Sequence, residues 1–261
     1  MNNQEIYVRD LLKIIPEKIY DFERKIIFSP LLTGNNNLML ALVNGKYLSK
    51  SQNHKHPGDE VTLTLSGKAE ISISDKKYSV LPQTAIRVSP GQIHPLVVTS
   101  KEKWISLAAY CDNCPLIKKK NKHIFKSNRS DIIKDISKIE FKNKNNIEVK
   151  RIFPRSMLSR TYLSLSVVKI QCINNRDSQK YCNFGESVFI TLRGVVELEN
   201  KTKKYLLTPE RAVLISSEQN ISLRNVGKKP WIAINISCKN CPLLQKRVNK
   251  KNKLSDKEKQ I

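Results

Sequence analysis

The sequence predicts an all-β protein built as two tandem β-barrels, with a short N-terminal helix and a partly helical connector. Two observations carry this. From Asn37 onward the chain runs in short apolar or alternating stretches separated by turns rich in Pro, Gly, Asn or Lys, the pattern of a sandwich or small barrel. The chain also repeats itself at an offset of 127 residues, without a gap from Thr64 to Leu116. Trp104-Ile105 followed by Cys111-Asp112-Asn113-Cys114-Pro115-Leu116 returns as Trp231-Ile232 followed by Cys238-Lys239-Asn240-Cys241-Pro242-Leu243. Thr64-Leu65, Gly67, Lys76-Lys77-Tyr78, Pro82, Ala85 and Gln92 recur at the same offset.

Each element follows from its residues. Ile6, Leu11, Leu12, Ile14 and Ile15 stand near helical spacing and Pro16 stops the run, so residues 1–34 read as an N-terminal helical segment. Residues 35–117 form the first barrel, with strands expected over Leu38 to Val43, Val61 to Leu65, Ala69 to Ile73, Tyr78 to Leu81, Ala85 to Val88, Leu96 to Thr99 and Trp104 to Tyr110. In residues 118–152, a basic connector, Ser130 is placed to cap a helix whose apolar stripe is Ile132, Ile133, Ile136 and Ile139. Residues 153–244 form the second barrel, and residues 245–261 a basic tail.

The net charge is +24. Residues 116–151 hold 12 Lys or Arg against 4 Asp or Glu, and residues 245–261 hold 7 against 2, so more than half of the excess sits in the connector and tail. The Lys, Asn and Ile bias of the whole chain further dilutes the case for a polyanion, so nucleic acid is not an expected partner, whereas the positive field suits a small anionic ligand. A homodimer is compatible with this composition. No apolar run approaches the roughly 20 residues that cross a bilayer. Met1-Asn2-Asn3-Gln4-Glu5 lacks the basic-then-apolar layout of a secretory signal, which makes the cytoplasm the expected compartment.

Chemistry concentrates in one place. Three of the chain's 4 histidines lie in His54-Lys55-His56-Pro57-Gly58-Asp59-Glu60 and Pro90-Gly91-Gln92-Ile93-His94. Two imidazoles two residues apart on an extended chain point to one face. Glu60 opens the next strand after a Pro-Gly turn, and His94 follows a second such turn. Three neutral nitrogens and a carboxylate suit Fe(II), Mn(II), Ni(II) or Zn(II) and leave positions open on an octahedral ion. In the second repeat the same positions hold Tyr181, Asn183, Ser187 and Ile221, which cannot bind such an ion. That barrel is expected to be structural, or a cavity lined by Tyr181, Phe189 and Ile221.

These residues resemble the cupin family. The run His-x-His-x3-Glu-x6-Gly, from His54 to Gly67, is similar to the first cupin motif, and Pro-Gly-x2-His at 90–94 to the second. Pro90 and Gly91 are adjacent where one residue commonly separates them, and Val98 stands where asparagine is common; neither change touches a ligand position. With the repeat, the resemblance is to the bicupin branch, two jelly-roll barrels with the metal motif intact only in the first. It implies His54, His56, Glu60 and His94 as ligands of one divalent transition metal.

Around that site Thr62 and Thr64 share the side of Glu60, and Leu96 and Val98 add apolar wall. Such a pocket suits a small organic acid or a phenolic substrate. The resemblance implies a mononuclear metal dioxygenase or related oxidoreductase. The alternatives are a lyase, decarboxylase or isomerase on a small anionic metabolite, and a non-catalytic metal-containing ligand-binding protein. Cupin lyases acting on dimethylsulfoniopropionate are similar in ligand spacing, but commonly carry tyrosine two residues after the glutamate, where this chain has Thr62. No sequence neighbour of the motif offers a general base.

The pairs Cys111-x2-Cys114 and Cys238-x2-Cys241 each follow the last strand of a repeat. Two such knuckles form the pattern of a tetrahedral thiolate site for zinc or iron, provided the two halves bring them together; otherwise each is an isolated pair. Cys172 and Cys182 have no counterpart in the first repeat and read as simple thiols.

Overall fold

The structure, a computed structural model, describes residues 6–33, 38–111, 132–144, 147–154, 163–172, 179–182, 185–201, 203–216 and 219–239. It is nearly all β, in four antiparallel sheets. The first half supplies β2 (Glu17–Ile19), β3 (Phe22–Phe28), β4 (Leu38–Gly45), β5 (Glu60–Ser66), β6 (Ala69–Ile73), β7 (Lys76–Val80), β8 (Thr84–Val88), β9 (Leu96–Val98) and β10 (Trp104–Cys111). All seven strands expected from the sequence are present, and β2 and β3 extend the sheet beyond them. The second half supplies β12 (Lys142–Lys144), β13 (Ile147–Phe153), β14 (Leu163–Ile170), β15 (Gln179–Cys182), β16 (Gly185–Arg193), β17 (Val196–Glu199), β18 (Lys204–Leu207), β19 (Arg211–Ile215), β20 (Asn220–Asn225) and β21 (Trp231–Lys239).

Each half pairs a broad sheet with a small one, and three apolar clusters fill the spaces. Leu96, Val98, Ile71, Val88 and Trp104 lie between the sheets of the first half. Phe189, Ile221, Leu223 and Trp231 do so in the second. Between the halves, the outer faces of the two seven-stranded sheets share a cluster that includes Val61, Leu63, Leu107, Cys111, Leu165, Val188, Ile236 and Cys238. Strand alternation produces this division: Val61 and Leu63 turn to the shared cluster, while Glu60, Thr62 and Thr64 turn inward. The motif glycine has a steric role in both halves. Gly67 and Gly194 sit at φ +68 and +78, where an added Cβ would lie 2.7 and 2.8 Å from the Cα of Trp104 and Trp231.

The helix expected over the first apolar run is not formed, the α-helix described within residues 6–33 being the single turn α1 (Pro30–Thr33), and of the expected connector helix only Ile132 is helical among the described residues; both runs give way to strand for one reason. Residues Ile6–Asp10 form β1, which pairs with β19 of the second half, and Ile133–Asp135 form β11, which pairs with β8 of the first. A short 3-10 turn follows each, at Leu11–Lys13 and Ile136–Lys138, and its first amide caps the equivalent corner: Leu11 N donates to Glu210 O and Ile136 N to Gln83 O. The halves therefore exchange their leading strands. An open sheet edge offers a full ladder of backbone partners, which outweighs a weak helical preference over a few residues. The apolar residues then divide between cores: Ile6 and Ile132 enter the clusters inside the second and first halves, whereas Ile14 and Ile136 enter the shared one. Ser130 of the expected cap, the lysine run after Leu116 and the basic tail lie outside the described residues. No helix among the described residues is long and apolar enough to cross a membrane.

Candidate metal centre

The two histidine-bearing stretches are zipped together by their backbones. The segment before β5 belongs to no strand, and it is held in place because Gly91 N donates to His56 O (2.9 Å) and His94 N to His54 O (3.1 Å). Gly91, at φ +75, allows the chain to turn back for this pairing. Glu60, the first residue of β5, is inserted between them, opposite Val88 of β8 and Tyr110 of β10. His54, His56, Glu60 and His94 thereby offer one ligand atom each, all within 4.8 Å of one another.

The protons in this cluster favour a cation. His54 Nδ1 lies 2.9 Å from Gln52 O and His94 Nδ1 lies 2.8 Å from Gln92 O, and a carbonyl only accepts, so both rings carry hydrogen on Nδ1 and turn a bare Nε2 inward. The Nε2 of His94 then faces Glu60 Oε2 at 2.8 Å, and His56 Nε2 is 3.1 Å from the same oxygen. Glu60 Oε2 and His94 Nε2 are both buried, two lone pairs in contact with no hydrogen to share unless a further proton or a metal enters. The other oxygen of Glu60 is fixed by Thr62 Oγ1, which donates to it at 2.9 Å. This donor set fits a divalent transition ion held by three imidazoles and one carboxylate.

Without metal, the charges resolve differently at each group. Burial disfavours charge on Glu60, but hydrogen bonds from His56 and His94 and their positive charge outweigh it and hold the carboxyl well below its ordinary range. Burial also disfavours charge on His94, yet its hydrogen bond to Glu60 and the carboxylate charge prevail and raise its pKa. His54 is lowered, chiefly by burial. The consequences for stability have opposite signs. The raised pKa of His94 stabilises the metal-free fold below the reference value of 6.5, and this is lost as pH rises through the raised value. The lowered pKa of His54 costs stability as pH falls below 6.5. We therefore expect this cluster to give the metal-free protein a melting maximum near the histidine reference value, with metal affinity rising on the alkaline side as His94 sheds its proton. Calorimetric scans between about pH 5.5 and 8.5 test this, and a melting temperature that climbs steadily across the range would contradict it.

Of the other expected residues, Thr62 touches the centre, through Glu60. Thr64 is fully buried two residues further along the same face, and Leu96 and Val98 belong to the apolar interior. Sequence reasoning missed Tyr110, whose ring stacks on His56 (centroids 4.1 Å apart, planes at 23°) beside the ligands. The repeat contained a signal, since the position of Tyr110 holds Ser237 in the half without ligands. In that half Phe189 replaces Thr62 and packs near Trp231, with centroids 5.9 Å apart, and Ile221 replaces His94. Both are buried in an apolar cluster, so this interior is filled by its own side chains. Of the expected cysteine quartet, Cys111 and Cys238 are buried in the cluster shared by the halves, while Cys114 and Cys241 lie outside the described residues.

No protein-family model matches the sequence, and no curated protein matches it. Solved structures do. The chain is similar to the protein YlbA from E. coli, of family DUF861, with a TM-score of 0.68 and 11% identity over 90% of this chain and 91% of that one. It is also similar to oxalate decarboxylase from Bacillus subtilis, a protein with Mn(II) centres, with a TM-score of 0.70 and 9% identity over 89% of this chain and 77% of that one. These neighbours are cupin-family proteins, and at such identities the likeness is one of fold.

Proposed function

We propose that this protein is a metal-dependent enzyme of two tandem cupin barrels, one per repeat, whose first barrel binds a divalent transition metal through His54, His56, Glu60 and His94 and acts on a small organic acid. The observation that supports it best is the convergence of imidazole nitrogens on a buried carboxylate oxygen, an arrangement that needs a further proton or a cation. When bound, the ion supplies Lewis acidity to an oxygen ligand of the substrate. The chain's own residues orient that ligand set: Gln52 and Gln92 carbonyls fix two rings, Thr62 fixes the carboxylate, and Tyr110 covers the face of His56. The phenol of Tyr110, whose ring stacks on His56, is a group suited to move a proton, the function that no neighbour of the motif in the sequence could supply.

We place lyase or decarboxylase chemistry first, because Tyr110 offers acid–base catalysis and because one structural neighbour is a decarboxylase. Oxygen chemistry on an organic acid or phenol is the second reading, favoured by a four-ligand set that leaves two positions on an octahedral ion. Turnover of small carboxylates by the metal-loaded full chain, with and without oxygen, separates the two. Anaerobic turnover is expected, and strict coupling to oxygen uptake would select the second. Failure of any divalent metal to bind at these side chains would overturn both.

We also propose a structural zinc on Cys111, Cys114, Cys238 and Cys241. Supporting it, Cys111 pairs with Leu38, whose amide bonds Glu186, and Glu186 in turn pairs with Cys238, so the two knuckles begin near one another across the halves. Elemental analysis of the wild type, His56→Ala and Cys114→Ser should show two separately removable ions. Removal of both by either substitution would contradict this assignment.

A further inference from the structure

We propose that the second half, which lacks ligands of its own, positions the metal ligand Glu60 through a buried clasp made by Asp59. The inference rests on the metal-binding reading above. Asp59 directly precedes Glu60 and is 1% exposed. Its backbone oxygen accepts from Cys111 N at 3.3 Å, which ties the start of β5 to the end of β10. Its carboxylate crosses to the other half and accepts from Leu163 N, the first residue of β14, at 3.4 Å. The carbonyl of the same residue is taken by Arg87, whose Nη2 donates to Leu163 O at 2.9 Å. Arg87 precedes Val88, the residue paired with Glu60 on β8. Leu163 is thus gripped from two strands, by the residues next to Glu60 and next to its cross-strand partner.

The repeat provides an internal comparison. Glu186 stands at the position of Asp59, directly before Ser187, and its Oε2 accepts from Leu38 N at the start of β4 (3.2 Å). Both halves therefore send a buried acid across to the first residue of an interior strand of the other half. Only one of the two acids is followed by a residue of the metal cluster, and Leu214 occupies the position of Arg87. The first residue of a strand has a neighbour's support on one side only and frays readily. Anchoring Asp59 on both its carbonyl and its carboxylate removes that freedom and fixes the direction in which Glu60 points. Asp59 is accordingly a positioning residue, and the second half is its support.

Because Asp59 and Glu186 form equivalent clasps, their variants separate positioning from general loosening. Mn(II) titration of the full chain is expected to show about a 10–100-fold affinity loss for Asp59→Ala, the range for partners that orient ligands. Asp59→Asn, whose amide oxygen can still accept from Leu163 N, should recover most of it. Glu186→Ala should keep wild-type affinity within about a factor of three, even where it melts as low as Asp59→Ala. In the metal-free chains, amide exchange at Val61 and Thr62 should accelerate in Asp59→Ala and not in Glu186→Ala. Equal affinity loss in the two alanine variants, or unchanged exchange at Val61 and Thr62 in Asp59→Ala, would overturn the proposal. Absence of Mn(II) binding in the wild type would overturn the metal reading itself, while the exchange measurement would still decide whether Asp59 anchors the strand.

Discussion

Glu60→Gln is expected to remove most of the thermal stabilisation that divalent metal gives this protein while leaving the metal-free fold at least as stable as the wild type on the alkaline side, where His94 has shed its proton. The two effects have opposite signs for one reason. In the metal-free wild type, Glu60 Oε2 meets the bare Nε2 of His94 at 2.8 Å, a contact that requires an added proton or a cation. An amide in the same place can donate its own hydrogen to that nitrogen, while its oxygen still accepts from Thr62 Oγ1. The neutral isostere therefore relieves the empty site. It also removes the anionic ligand, and since partners one step removed from a metal already cost about 10–100-fold in affinity, loss of a ligand should exceed about 100-fold. At a metal concentration of about 1,000 times the wild-type Kd, binding stabilises the fold by about 4 kcal/mol. For a chain of this size that is roughly 8–16 °C in melting temperature. Differential scanning calorimetry with and without metal measures both. A metal-dependent shift as large in Glu60→Gln as in the wild type would mean that the ion sits elsewhere.

Deletion of residues 1–13 is expected to damage the half that lies farther along the chain. β1 contributes a five-residue ladder to β19, and Ile6 is buried inside the second half. Removing it exposes the backbone edge of a strand whose side chains are nearly all buried, and forfeits about 1.5–3 kcal/mol for each fully buried apolar side chain. Amide exchange should therefore accelerate at Arg211–Ile215 and stay slow at Thr84–Val88, whose edge is covered by β11. Soluble expression should fall with it. Retained protection at Arg211–Ile215, or loss at Thr84–Val88 instead, would contradict the strand exchange.

The cluster of candidate ligands was legible in the sequence because its spacing is local. His54 and His56 lie two residues apart, Glu60 follows a Pro-Gly turn, and His94 follows another, so short-range chain geometry nearly decides which side chains meet. The strands after Asn37 were legible because apolar alternation reports directly on burial of one sheet face. The N-terminal segment was not. Ile6, Leu11 and Ile14 fit a helical stripe as well as two separate cores, and only the open edge of β19, more than 200 residues away, decides between them. The same ambiguity at Ile133 and Ile136 was resolved by the edge of β8. Tyr110 and Asp59 escaped notice because their roles depend on cross-strand register and on contact between the halves, which no local pattern encodes.

By itself the sequence determined that this chain is a duplicated β structure, that one half keeps three imidazoles and a carboxylate at a shared site, and that the other half has lost them. Residue type and spacing are enough for that, since ligand chemistry and strand alternation act over a few residues. Only the tertiary structure decided which strand completes which sheet, which aromatic ring lies against the ligands, and how the ligand-free half grips the residue before Glu60. Those outcomes depend on backbone hydrogen bonds between segments distant in sequence, where competing local preferences differ by less than a single sheet edge can supply.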